Sequence, residues 1–137
     1  MRIVQFTVTG RPLAKGRVRF TKTGHAFTPD RTVNFEGKLA LAAQAAMNGQ
    51  PPAGGPVAVT LEVLLPIAAS WPKKKREDAV AGRLRPTGRP DLDNFAKMLD
   101  ALNLVVWNDD AQIVELVVFK RYSEAPQLAI TVDTIFD

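Results

Sequence analysis

Two aspartates stand two residues apart in Arg89-Pro90-Asp91-Leu92-Asp93-Asn94-Phe95-Ala96-Lys97, with a lysine four residues after the second. At a helix start that spacing aims Asp91 and Asp93 outward while Leu92 turns to the core, and it puts Lys97 on the face of Asp93. Further along, Trp107-Asn108-Asp109-Asp110-Ala111-Gln112 immediately precedes an apolar stretch with the character of a strand. If that strand packs beside the helix, Asp110 closes a three-carboxylate site. Carboxylates at such density repel one another unless a cation lies between them. Mg²⁺ is the hard cation that takes one or two carboxylates together with water and phosphate oxygens. A neighbouring lysine can then stabilise charge on a phosphate or orient the attacking water. Phosphodiester hydrolysis is the chemistry these parts fit.

Each part also has a plainer explanation. Asp91 or Asp93 can simply cap a helix and offset its dipole. Asp93 with Lys97 can be a surface pair worth only about 0.3–0.5 kcal/mol. Asn108-Asp109-Asp110 can be ordinary turn chemistry. Trp107 reads as a core residue rather than a base-stacking platform, and His25, beside Thr23-Gly24, as a loop residue rather than a catalytic base. The charge distribution tells more than these motifs taken singly. The chain of 137 residues carries a net charge of +4. Arg11, Lys15, Arg17, Arg19 and Lys22 form one basic segment, and Lys73-Lys74-Lys75-Arg76 a second, extended by Arg83, Arg85 and Arg89. Those twelve make up two thirds of the eighteen Lys and Arg. Asp91, Asp93, Asp100, Asp109, Asp110 and Glu115 form an acidic stretch broken only by Lys97. Basic arms beside a carboxylate pocket suit a polyanionic partner and a cation. Basic segments alone separate nucleic acid from acidic membrane poorly, so the carboxylates carry the decision.

Composition narrows the field. Hydrophobic residues at 46% and charged residues at 23% are the balance of a globular domain with a core, not of a disordered tail. With no cysteine there is no disulfide framework and no thiolate nucleophile. One histidine leaves no site that needs two imidazoles. The amino-terminal residues lack the apolar core of a secretory signal. The longest apolar stretch, 57–69, contains Glu62 and Pro66 and is too short to span a bilayer. A single soluble, cytoplasmic domain spanning 1–137 is expected.

The elements that must position the acids follow from periodicity. Residues 2–9 alternate as a strand, with Val4, Phe6 and Val8 on one face. Residues 10–26 read as a loop or irregular hairpin. Thr28-Pro29-Asp30 starts a helix, with Thr28 as cap, that carries Phe35, Leu39, Ala42 and Ala46 at helical spacing and stops at Asn48-Gly49. A strand follows with Val57, Val59, Leu61, Val63 and Leu65 on one face. Residues 69–90 read as a long, mobile basic loop. A helix starts near Asp91 with Leu92, Phe95, Leu99 and Leu102 facing the core. Residues 113–121 and 128–136 are two more strands, and the short Ser123-Glu124-Ala125-Pro126 connection suggests that they pair antiparallel. The order β-α-β-loop-α-β-β predicts an α+β domain with two helices against a small mixed sheet.

Taken jointly, Arg89 to Lys97 and Trp107-Asn108-Asp109-Asp110-Ala111-Gln112-Ile113 resemble the RusA family of Holliday-junction resolvases. Gly10-Arg11-Pro12, Lys15-Gly16-Arg17, Gly24-His25-Ala26-Phe27-Thr28-Pro29 and Ser70-Trp71-Pro72-Lys73-Lys74-Lys75-Arg76 look like its phage-type members. The resemblance implies a homodimeric, Mg²⁺-dependent endodeoxyribonuclease, with Mn²⁺ as a possible substitute, that cuts four-way DNA junctions by paired symmetric nicks. It implies catalytic and metal-binding roles for Asp91, Asp93 and Asp110, a catalytic role for Lys97, and a supporting role for Asp109 outside the ligand set. It also implies DNA binding through basic residues, which fits the loop carrying Lys73, Lys74, Lys75 and Arg76, while the charge pattern adds the first basic arm, Arg11, Lys15, Arg17 and Arg19, as a backbone contact. A bacterial cell is the implied setting, with the gene of phage or prophage type, and neither a membrane nor a nucleotide cofactor is expected. Two cuts in opposed strands call for two active sites, which a two-fold dimer supplies. The alternatives are a non-catalytic basic DNA-binding module, or a nuclease acting on other branched DNA. A nucleotide-diphosphate transferase using Asp-x-Asp lacks a Gly-rich phosphate cradle in this sequence.

Overall fold

The computed structural model describes residues 1–16 and 19–135. Strand β1 (Arg2–Thr9) leads into a small hairpin of β2 (Arg19–Phe20) and β3 (Ala26–Phe27). Helix α1 (Asp30–Met47) and strand β4 (Val57–Pro66) follow. Helix α2 (Lys73–Ala81) and the short helix α3 (Leu92–Ala96) come next, and α3 tightens into a 3₁₀ segment, Lys97–Leu102. A single 3₁₀ turn, Asp110–Gln112, precedes strands β5 (Ile113–Ser123) and β6 (Gln127–Thr134). The α+β reading holds. Among the described residues, no helix is long and apolar enough to cross a membrane.

The main sheet has the order β1-β6-β4-β5; β6 lies antiparallel to both β1 and β4, and β4 is parallel to β5. The expected β5–β6 hairpin is therefore corrected: β4 lies between the two strands. Residues 124–126 bridge two strand spacings, roughly 10 Å, which that many residues can reach. The reason is burial. Leu128, Ala129, Ile130 and Val132 are all buried, a pattern suited to a central strand, whereas residues 114–117 of β5 are exposed. The edge falls to the strand that can tolerate water.

Helix α1 packs on β1, and the Lys97–Leu102 segment packs on α1. Phe35, Leu39, Phe95, Leu99, Leu102 and Trp107 join the sheet side chains in one core. Pro29, not Thr28, stands at the α1 N-cap and supplies no side-chain cap, while Asn48 ends the helix in the left-handed conformation. Thr32 is buried instead and accepts a hydrogen bond from the Gly16 N–H at 3.0 Å. A Cβ at Gly16 would fall 2.7 Å from that hydroxyl, so the basic loop can approach α1 this closely only as glycine. Residues 73–81, inside the stretch read from sequence as loop, form α2. Lys73 and Lys74 pair with Glu77 and Asp78 one helical turn on, and Arg83 reaches Asp78 from beyond the helix.

Candidate active site

The start of α3 is held from both sides. Phe95 and Leu99 anchor it in the core. On the other side Lys120, from β5, donates through Nζ to the Gly88 and Pro90 carbonyls at 2.7 and 2.9 Å, fastening the chain just ahead of Asp91. Asp91 occupies the N-cap position, yet its side chain makes no cap hydrogen bond. The capping explanation therefore fails for Asp91, whose exposed carboxylate is left available. Leu92 is 38% exposed rather than turned into the core as expected, because α3 is only five residues long and buries Phe95 instead. Asp93 lies in the first turn with its Oδ2 3.9 Å from Lys97 Nζ, the spacing read from sequence, and Lys97 also donates to Asn94 Oδ1 at 3.4 Å.

The second group of acids is built as a tight turn. Asp109 accepts the Ala111 N–H at 3.0 Å. The Gln112 Oε1 accepts from the Asn108 and Asp109 N–H groups at 2.8 and 3.0 Å, completing a reciprocal cap. The Gln112 amide also donates to the Ala53 and Gly55 carbonyls, which ties this turn to the chain entering β4. Asp109 thus does have turn chemistry, and Asp110 is the acid that the turn presents. The hydrogen bond with Asp109 raises the Asp110 carboxyl above its ordinary value, with burial and the negative charges of Asp109 and Asp100 acting in the same direction. Asp109 is lowered by the Ala111 N–H and by the hydrogen bond with Asp110.

Asp100 belongs to the same neighbourhood and received no role from the sequence. It accepts a short hydrogen bond from Lys15 Nζ through Oδ2, while its Oδ1 is buried with no partner. Lys15 also lies 3.8 Å from Glu36 and donates its backbone N–H to the Asn94 carbonyl, so it joins the basic loop to α1 and α3. Its ammonium is committed to these two carboxylates, with the side chain half-buried between them.

Helix α3 packs against β5, and the two 3₁₀ segments pack on each other, which brings Asp100 close enough to Asp110 for their charges to act on one another. Among the described residues no three His, Asp or Glu side chains gather closely enough to hold a metal ion. The donor chemistry still fits one: the candidate ligands offer only oxygen, and the Asp91 and Asp93 carboxylates accept no hydrogen bond among the described residues. Trp107 is fully buried, with its indole N–H bonded to Asn103 Oδ1 at 2.8 Å, a core residue as read. Of the proposed DNA contacts, Arg11, Arg19 and Arg76 are exposed, and Lys75 lies over the Trp71 ring. Arg17 lies outside the described residues. Sequence reasoning missed Lys120, whose only signal is a lone lysine closing the run Val117-Val118-Phe119.

The profile of the family described as Endodeoxyribonuclease RusA matches residues 9–133. The chain belongs to the RusA endodeoxyribonuclease family. It is also 38% identical over 138 aligned positions, 96% of each chain, to a Bacillus subtilis (strain 168) protein bearing the name "Uncharacterized protein YqaN". Both segments that carry the RusA resemblance, 89–97 and 107–113, fall inside the matched region, and so do Lys15, Asp100 and Lys120.

Proposed function

We propose that this RusA-family chain is a Mg²⁺-dependent, structure-selective endodeoxyribonuclease that resolves four-way DNA junctions by paired symmetric cuts in the bacterial cytoplasm. The observation that carries the reading is the exposed start of α3, where Asp91 does not spend its carboxylate on capping and Asp93 and Lys97 share a face. Asp91, Asp93 and Asp110 are the residues that would hold Mg²⁺. When bound, the ion supplies an activated water and charge neutralisation at the scissile phosphate. Lys97 places a positive charge where the phosphate becomes more negative on the way to the transition state. Asp109, bound to the Ala111 N–H, holds the turn that presents Asp110 at the head of β5. Lys120 keeps Asp91 in place relative to that strand. A second copy of the chain supplies the second active site. The exposed apolar residues of edge strand β5 (Val114, Leu116 and Val117) favour that strand as the meeting surface.

The test is gel analysis of an end-labelled synthetic four-way junction beside a matched linear duplex, in Mg²⁺ or EDTA, with wild type and Asp93→Asn. Paired symmetric cuts in the junction alone are expected, lost in EDTA and reduced about 10²–10³-fold in the variant, the scale on which removing an electrostatic catalytic group acts. Asp93→Asn should bind the junction in EDTA as tightly as wild type or more so, because a negative charge facing phosphate is gone. Equal cutting of linear duplex would remove the junction selectivity. Unimpaired cutting by Asp93→Asn would remove the site assignment, and binding without any cutting would leave a DNA-binding module.

A further inference from the structure

Beside the Asp91 segment lies a hollow of about 540 Å³ whose walls come from separate stretches of chain. Arg11 reaches it from the loop after β1, Arg31 from the first turn of α1, and Trp71 from the approach to α2. Arg89 and Pro90 line it from the run into α3, and Tyr122 from β5. Among the described residues, no acidic side chain lines it. None of the three guanidinium groups has an ion-pair or hydrogen-bond partner among the described residues. Like charges sharing one concavity raise its potential, and an anion is what relieves it. A guanidinium fork also matches phosphate oxygens in shape.

The aromatic wall gives the hollow a second character. Trp71 and Tyr122 meet edge to face with ring centroids 5.2 Å apart at 86°, and Lys75 Nζ lies 4.1 Å from the Trp71 ring centroid. A site for backbone phosphate alone has no use for two rings. Rings beside a row of cations are the combination that holds single-stranded nucleic acid, with phosphates on the cations and bases on the rings.

We propose that this hollow receives one unstacked nucleotide of the DNA, its base against Trp71 and Tyr122 and its phosphate among Arg11, Arg31 and Arg89. The inference rests on the nuclease reading and deepens it. Arg89 and Pro90 run directly into Asp91, so a nucleotide seated here sets which phosphodiester lies over the carboxylates. It also accounts for a preference for branched DNA: a base is cheapest to withdraw where stacking is already interrupted, as at a crossover.

The test reads binding without cleavage. Wild-type protein in EDTA is titrated with a single-stranded thymidine pentanucleotide and with an abasic pentamer of equal phosphate number, following tryptophan emission. Trp107 is sealed in the core and gives a constant background, so any change reports Trp71. We expect saturable quenching by the thymidine oligomer and binding at least about tenfold tighter than the abasic one, the gain that stacking confers. Trp71→Phe should keep most of the affinity and lose the quenching. Arg31→Gln, an exposed change checked for folding by circular dichroism, should weaken both oligomers. Equal affinity for the abasic oligomer, unchanged emission, or no binding would each overturn the inference. Quenching that persists in a protein unable to cut junctions would remove the nuclease reading and leave the nucleotide site standing.

Discussion

Lys120 sits on a β-strand, yet its ammonium is committed to two backbone carbonyls in the segment that leads to Asp91. Hydrogen bonds from a charged donor contribute about 1.5–3 kcal/mol each when their partners are otherwise left unpaired. Lys120→Met keeps the volume of the stem and removes both donors. We expect it to lower stability by about 2–3 kcal/mol in urea unfolding, toward the low end because Gly88 is exposed to water that can replace one bond. Junction cleavage should fall about tenfold or more in kcat with a smaller change in KM, and Lys120→Arg should recover most of it. Wild-type turnover in Lys120→Met would mean that Asp91 holds its place without the clamp. The same residue-scale view separates the two adjacent acids: Asp109 has its carboxylate bound to the Ala111 N–H, and Asp110 does not.

Between elements, the decisive join is Lys15, which links the basic loop to α1 through Glu36 and to the Lys97–Leu102 segment through Asp100. Burial works against its charge and is the largest single influence, but the hydrogen bond and negative charge of Asp100, with Glu36, outweigh it and raise its pKa above the ordinary 10.5. A raised lysine stabilises the fold fully at pH values below its unfolded pKa and loses that contribution as pH climbs through the folded value. Replacing Lys15 by Met should therefore cost about 1–2 kcal/mol across neutral pH, where it strands partly buried carboxylates. The deficit relative to wild type should shrink only above about pH 10.5, as the wild-type lysine itself loses its proton. Paired denaturation curves at pH 8 and pH 11 measure it; a deficit equal at both would show that the side chain acts by packing rather than by charge.

Over the whole molecule, basic residues that look alike in the sequence divide into two kinds. Lys73, Lys74 and Arg83 are already paired with Glu77 and Asp78, whereas Arg11, Arg31 and Arg89 have no partner among the described residues. Each cation that neutralises a DNA phosphate adds about 0.9 to the slope of log affinity against log salt. Replacing Arg31 and Arg89 together by Gln should reduce the slope for junction binding in EDTA by about 2. The double change Lys73→Gln with Lys74→Gln should reduce it by less than about 1, since those ammonium groups are held by their own helix. Equal losses would place the phosphates along α2 instead.

The sequence by itself determined whatever depends on neighbours along the chain. The Asp93–Lys97 spacing and the alternating faces of β1 and β4 follow from helical and strand periodicity, the stop of α1 from the Asn48-Gly49 pair, and the core position of Trp107 from its residue type, and all are found. The family was legible in the Asp91 and Asp110 segments for the same reason, because its signature is written in short contiguous stretches. Tertiary structure decided whatever depends on which strand lies beside which. The insertion of β6 between β1 and β4 turns on competition for the centre of the sheet, which a short connection cannot reveal. Leu92 is left exposed because the fold buries Phe95 from a helix too short to bury both. Lys120 and Gly88 are 32 residues apart, Lys15 and Asp100 are 85, and no local pattern announces either pairing. An ammonium or carboxylate in the sequence carries no mark of its partner; burial and distance assign it, and both exist only once the chain has closed on itself.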